Sequence, residues 1–190
     1  MNTPEKIITF DSYHPYLHAY HIKGLHDRLL KYKSELIKEY LENYKELFAL
    51  GINNVTTRIQ EFEDEFAPLL YHIVNKFYVV DENWIHTSFG TYMQDKDRQM
   101  NVLHNHWEQT TLSSVMYIDP LDPEVGGGVE FSIPPEDPLE LNPKKDYIYF
   151  FPSWVSHRPL EQKTKTPRIC INWGYNCSLR PIHKLTGQRW

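Results

Sequence analysis

The sequence predicts an α+β protein that is mainly β: a double-stranded β-helix, or jelly roll, with N-terminal helices packed on the outside of the sheet. Three observations carry this. Apolar residues recur every three or four positions from about Lys23 to Phe77, the period of helices with one buried stripe. After Asp81 the period becomes two and stays two, with turn residues between short runs and no helical stretch among them. Aromatic residues make up 14% of the chain and prolines number 13, a composition suited to pleated surfaces and tight connections.

In order, residues 1–22 set Tyr13, Tyr16 and Tyr20 among His14, His18 and His21 and read as a surface strand or arm; Pro15 bars a helix. From Lys23 to Leu50 the stripe Leu25, Leu29, Tyr32, Leu36, Tyr40, Tyr44, Leu47 predicts one helix, stopped by Gly51. A second helix is expected from Thr57, which with Gln60 fits a capping box, and would bury Ile59, Phe62, Phe66, Leu70, Ile73 and Phe77. Pro68 should kink it or start a new turn. The strands then follow: Trp84–Phe89 and Thr91–Met93, a charged turn at Asp95–Arg98, the stretch around His104, Leu112–Ile118, a loop through Gly126-Gly127-Gly128, Val129–Ile133, a proline-rich connection over Pro134–Pro143, Tyr147–Phe151 and Ile169–Tyr175. The whole, residues 1–190, is expected to be a single domain, with a helical layer at 1–80, the jelly-roll core at 81–177 and an irregular tail at 178–190.

The charge pattern narrows the function. Net charge is −5, and the lysines and arginines are scattered, so no nucleic-acid footprint is evident. No apolar run reaches membrane-spanning length and no secretion signal opens the chain, so a soluble, cytoplasmic protein is expected. The two cysteines, Cys170 and Cys177, would lie on opposite faces of a straight strand, which argues against a disulfide.

The chemistry concentrates in Leu103-His104-Asn105-His106-Trp107-Glu108, in Phe150-Phe151-Pro152-Ser153-Trp154-Val155-Ser156-His157, and in Arg168. Residues two apart on a strand share a face, so His104 and His106 can aim imidazoles into one pocket. His157, at the end of an aromatic-rich strand, would complete a facial set that leaves positions on a metal open, as non-haem Fe(II) requires. Arg168 follows after a short loop, and antiparallel pairing would set it beside His157 as a fixed fork for a carboxylate. His106-Trp107-Glu108 is a second register for a pair on one face, with Glu108 as the reserve ligand. Trp84, Trp107 and Trp154 could wall the pocket.

These segments, with Leu112–Ile118, Gly126–Phe131 and Pro167–Asn172, resemble the 2-oxoglutarate/Fe(II)-dependent oxygenase superfamily, in particular its prolyl-hydroxylase-like branch and small phage-type members. The resemblance covers roughly residues 84–176. It implies an enzyme that uses Fe(II), 2-oxoglutarate and O2 to hydroxylate a small-molecule or peptide substrate, releasing succinate and CO2. Residue by residue it implies His104, His106 and His157 at the metal, Arg168 on the distal carboxylate of 2-oxoglutarate, and Tyr117 and Asn172 helping to hold that co-substrate, with Tyr92 a weaker candidate. The family pattern is His-x-Asp or His-x-Glu; His106 departs from it, although imidazole suits Fe(II). The match of the following strand favours His104 with His106 over His106 with Glu108. A phage origin would place the protein in a host cytoplasm.

Two other functions fit parts of the pattern. A cupin-like three-histidine metalloenzyme would need no 2-oxoglutarate, but Trp154 stands where a cupin's second motif has glycine. A non-catalytic jelly-roll binding protein would form no succinate. Arg168 discriminates between the first of these and an oxygenase.

Overall fold

The computed structural model describes residues 8–14, 16–49, 54–77, 87–94, 102–119, 122 and 124–175. It is mainly β, with antiparallel pairing throughout the two sheets. The elements are β1 (Ile8–His14), β2 (Leu17–Ile22), α1 (Leu25–Leu30), α2 (Lys33–Ala49), β3 (Asn54–Thr56), α3 (Gln60–Phe77), β4 (Thr87–Gln94), β5 (Leu112–Asp119), β6 (Val129–Ser132), β7 (Leu139–Leu141), β8 (Tyr147–Pro152), β9 (Ser156–Pro159) and β10 (Arg168–Tyr175). A seven-stranded sheet runs β1-β2-β8-β5-β10-β4-β3, and a three-stranded sheet runs β7-β6-β9.

The large sheet has a core on each face, because successive strand residues point to opposite sides. One face carries Tyr20, Ile22, Leu112, Met116, Ile118, Ile148, Phe150, Ile169, Ile171, Trp173 and Tyr175, packed against the buried stripes of α1, α2 and α3. The other carries Leu17, Ala19, Val115, Tyr117, Tyr149, Phe151 and Cys170, facing Val129, Phe131 and Leu141 of the small sheet. The helices therefore do lie outside the sheet, and the space between the sheets is left for a site.

Several local expectations change. Residues 17–22 are not a surface arm: β2 pairs with β8, and Leu17, Ala19, Tyr20 and Ile22 are fully buried. The expected single helix over 23–50 breaks into α1 and α2, because the amides of Lys31 and Tyr32 bond back three residues to Arg28 and Leu29, tightening the last turn of α1. Thr57 does not cap α3. Its hydroxyl pairs with that of Thr91 at 2.9 Å, a buried bond across to β4 that outcompetes the local one. Pro68 neither breaks nor restarts α3. It sits on the exposed face, where water can take the carbonyl it leaves free. The expected buried residues Ile59, Phe62, Phe66, Leu70 and Ile73 are all buried.

Three strands were not expected. β3 is only three residues long, β7 lies inside the proline-rich connection, held by β6, and β9 pairs with the other edge of β6. Thr91–Met93 and the end of Trp84–Phe89 form one strand, β4, through Gly90. Trp84, His86, the Asp95–Arg98 turn, Gly51, Cys177 and the 178–190 tail lie outside the described residues. Cys170 is a buried free thiol. Among the described residues no helix is long and apolar enough to cross a membrane.

Phe62 makes edge contacts with Tyr32 at 5.3 Å and Phe89 at 5.2 Å, joining α3 to α2's leading turn and to β4. Phe62→Ala should cost about 3–5 kcal/mol, as large-to-small core changes do, whereas Leu41→Ala should stay within about 0.5 kcal/mol. Leu41 is 48% exposed on α2. Urea unfolding of the two variants checks the contrast.

Candidate active site

His104, His106 and His157 converge. Their ligand atoms all lie within 4.8 Å of one another, and the ring centroids are 4.5–5.1 Å apart. The scaffold differs from the expected strand. His104 makes a single isolated bridge, its amide donating to the His157 carbonyl at 3.0 Å and its carbonyl accepting from the His157 amide at 2.8 Å. The His106 amide donates to the Ser153 carbonyl at 2.8 Å, and a turn follows at Trp107.

Ser153 ties the two ligand-bearing segments together. It is fully buried in the tight turn between β8 and β9, and its amide donates to the Thr111 carbonyl at 3.0 Å. Its hydroxyl lies 2.7 Å from that of Thr110 and 2.8 Å from that of Ser113. The Thr110 amide in turn donates to the His106 carbonyl at 2.9 Å. His157 is thus not at the end of the aromatic-rich strand. The chain turns at Ser153 and Trp154, leaves the large sheet, and delivers His157 from β9 in the small one.

The protonation of the rings suits a metal. Nδ1 of His104 lies 2.9 Å from the Val102 carbonyl, and Nδ1 of His157 lies 3.1 Å from that of Val155. A carbonyl only accepts, so Nδ1 is the donor in each ring and Nε2 is left as the ligand nitrogen. This is how ligating histidines are normally oriented from behind. Burial, and then the neighbouring His104, lower His106 to about 4 and His157 to about 3. Both rings are neutral at pH 7, as metal ligands must be.

The rings open into a cavity of about 380 Å³ between the two sheets. Val115, Val129, Phe131 and Phe151 make its apolar walls, and among the described residues Arg168 is the one charged residue lining it. Arg168 is only 2% exposed. Its Nη1 donates to the Gly127 carbonyl and, at 2.7 Å, to that of Gly128; its Nη2 donates to Gln94 Oε1 at 3.3 Å. The guanidinium stands over the rings of Tyr92 at 5.4 Å and Tyr117 at 5.8 Å. Nε has no partner, and among the described residues no carboxylate pairs with this cation. A buried charge without a counter-ion is costly, and an anion entering the cavity would offset that cost.

His157 and Arg168 are not neighbours on one sheet, as expected, because β9 pairs with β6 while β10 pairs with β4 and β5. They face one cavity from opposite sheets. Tyr117 lines it too, its hydroxyl pushed above the ordinary range by burial. Tyr92 is pushed up to about 12, chiefly by burial, and its hydroxyl donates to Gln94 Oε1 at 2.7 Å. Asn172 shares a face with Arg168, but Cys170 stands between them, and at about 3.4 Å per residue Asn172 sits roughly 13 Å along the strand, toward the histidines. Glu108 is exposed in the turn after His106, outside the histidine cluster. Trp107 and Trp154 are 64% and 46% exposed and do not wall the cavity; Trp154 packs edge-on against Tyr16 at 5.1 Å.

Sequence reasoning missed Gln94, Asn54 and Ser153. Gln94 follows Tyr92 by two on β4 and holds both that hydroxyl and Arg168. Period two could have found it. Asn54 sits on a strand too short to leave a pattern, and Ser153 acts largely through its backbone.

No family model and no curated protein matches this chain. Solved structures do. The viral collagen prolyl hydroxylase of Paramecium bursaria Chlorella virus-1, solved as a 2-oxoglutarate complex, aligns with a TM-score of 0.56 and 14% identity over 84% of this chain and 94% of that one. A prolyl 4-hydroxylase from Phytophthora capsici aligns at 0.48 and 16% identity, covering 58% of this chain and 39% of that one. One from Pseudomonas putida aligns at 0.43 and 13%, covering 51% and 55%. The chain thus spans well under two thirds of the length of these last two enzymes. With the viral enzyme it shares a fold.

Proposed function

We propose that this protein is a 2-oxoglutarate- and Fe(II)-dependent oxygenase that hydroxylates its substrate, its two facing sheets being the core of a double-stranded β-helix. One observation carries the reading: three imidazoles and a buried guanidinium, which has no counter-ion among the described residues, face a single cavity. The donor set fits the metal, since imidazole suits Fe(II) and three ligands on one side leave the rest of its coordination open. The orphaned Nε, and the lack of a paired carboxylate among the described residues, fit an organic acid at Arg168. Fold likeness to a hydroxylase solved with 2-oxoglutarate agrees with both.

His104, His106 and His157 would hold the metal. Arg168 would bind the distal carboxylate of the co-substrate, with Tyr92 and Tyr117 closing over it and Gln94 fixing the guanidinium from behind. Once bound, Fe(II) and 2-oxoglutarate supply the oxidising chemistry, using O2 and yielding succinate and CO2. The apolar walls at Val115, Phe131 and Phe151 exclude water around the reacting groups. The cupin-like alternative gives no role to Arg168.

Anaerobic titration with Fe(II) and then 2-oxoglutarate should produce a visible charge-transfer band. Arg168→Ala should leave Fe(II) binding intact and weaken 2-oxoglutarate by about 2–5 kcal/mol, the cost of removing one partner of a buried charge pair. His157→Ala should abolish Fe(II) binding, and Glu108→Gln should change neither. Admitting O2 should then yield succinate from the parent protein. Tight Fe(II) binding with unaltered 2-oxoglutarate affinity in Arg168→Ala would exclude the oxygenase.

The metal-free protein should lose stability on acidification. Unfolded histidine takes a proton near pH 6.5, whereas His106 and His157 resist it until about 4 and about 3. The unfolded state therefore binds more protons across that window, and stability falls as pH drops, by up to about 2 kcal/mol per ring at pH 5. Above pH 6.5 the effect vanishes. Urea midpoints at pH 7, 6 and 5 should show this slope, and replacing both rings by alanine should flatten it.

A further inference from the structure

Beside the large cavity lies a second, of about 100 Å³, lined by Asn54, Thr56, Gly90, Gln109, Thr110 and Asn172 among others. His106 and His157 form part of the wall of both, so the histidine cluster stands between them. Asn54, Gln109 and Asn172 also border both, and among the described residues no charged side chain lines the smaller one. At about 30 Å³ per water it takes roughly three waters, enough for the tip of one side chain and no more.

Its floor is a glycine that makes room for an amide. Gly90 pairs with Thr56 on one side and with Asn172 on the other. A Cβ on Gly90 would meet the Asn54 carboxamide nitrogen at 2.4 Å, so that carboxamide lies flat over the bare backbone, on the cavity face it shares with Asn172. Two carboxamides thus bracket Gly90, and Gln109 closes the third side from the turn after His106. A carboxamide offers donors and acceptors together and pairs best with another amide. A carboxylate or ammonium entering here would shed its water and meet no opposite side-chain charge. Val102, Leu103 and Trp107, all at least half exposed, flank His104 and His106 outside.

We infer that the smaller cavity is the substrate subsite, and that it takes an uncharged amide group, read by Asn54, Asn172 and Gln109, while the remainder of the substrate lies outside. This rests on the proposed function and names the substrate class for the same site. The larger cavity, with its cation, is left to the acid.

The test uses Zn(II)-loaded protein saturated with 2-oxoglutarate, so that binding is read by NMR titration without turnover. Four blocked amino-acid methylamides serve as probes: N-acetyl-asparagine, its aspartate and diaminobutyrate counterparts, and N-acetyl-alanine. The asparagine probe should bind at least about fivefold more tightly than both charged isosteres, the scale of one or two hydrogen bonds. The alanine probe, which has the same backbone amides but no side-chain amide, should bind at least about fivefold more weakly than asparagine, and equal binding overturns the inference. Asn54→Ala should erase the preference over the charged probes. Gly90→Ala, which displaces the Asn54 carboxamide without deleting it, should do the same. A charged probe that binds as well as asparagine, or a preference that both variants keep, overturns the inference. Loss of Zn(II) or 2-oxoglutarate binding in the parent protein would instead overturn the proposed function.

Discussion

The site depends on strands that serve two cores at once. β5, β8 and β10 sit at the middle of the large sheet, and each alternates between its faces apart from one register shift where β5 meets Ile169 and Cys170 of β10. On β10, Ile169, Ile171, Trp173 and Tyr175 are buried under the helices, while Arg168, Cys170 and Asn172 look into the cavity. A one-residue slip would exchange the two sets, burying a guanidinium among the aromatic side chains of α3 and turning tryptophan into the cavity. The apolar register that stabilises the fold is therefore what aims the functional residues. Among the described residues none from α1, α2 or α3 lines either cavity, yet their packing favours that register.

The cavity is organised by charge as well as by shape. Arg168, its one lining cation among the described residues, lies on the large sheet, and the histidines come from the opposite side. Carbonyls of Gly127 and Gly128 and the amide oxygen of Gln94 satisfy the guanidinium's nitrogens in part, without neutralising it. Acidic partners would have quenched the attraction for an anion. Neutral acceptors keep the charge available and still hold the side chain in one place. The imidazoles follow the same logic in reverse: burial and mutual repulsion keep His106 and His157 uncharged.

Much of this was legible in the sequence, for a physical reason. Period two over Leu112–Ile118, Tyr147–Phe151 and Ile169–Tyr175 marks strands with two distinct faces, and the helical stripes at Leu25–Tyr40 and Ile59–Ile73 mark the layer outside them. His104, His106 and His157 were recognisable as a set, and the structure brings their rings together. The route was not legible. A His-x-His pair reads as a strand, but only His104 is bridged, and the pair is shaped by backbone bonds to Ser153 and His157. Nor does proximity in sequence reveal which sheet a strand joins. The turn at Ser153 and Trp154 moves His157 to the small sheet, so that it confronts Arg168 across the cavity instead of lying beside it. Asn54 left no trace, because three residues at a sheet edge carry no period.

Glycines mark where function displaced side chains. Gly127 has a φ of 82°, a left-handed conformation that side-chain-bearing residues resist, and a Cβ there would stand 2.7 Å from Cδ of Arg168. Its bare backbone lets the loop before β6 close on the arginine stem and present carbonyls to the guanidinium. Gly90 does for Asn54 what Gly127 does for Arg168, but by space alone, since its backbone needs no unusual angle. One glycine seats a cation at the far end of the large cavity, and the other seats an amide beside the histidines. Gly90 lies inside a strand, and a glycine in such a place signals close approach of another group. The group in this case is a functional side chain on the neighbouring strand, and the same reasoning extends to Gly174, where a Cβ would meet Thr110 at 2.6 Å, in the segment that carries His106.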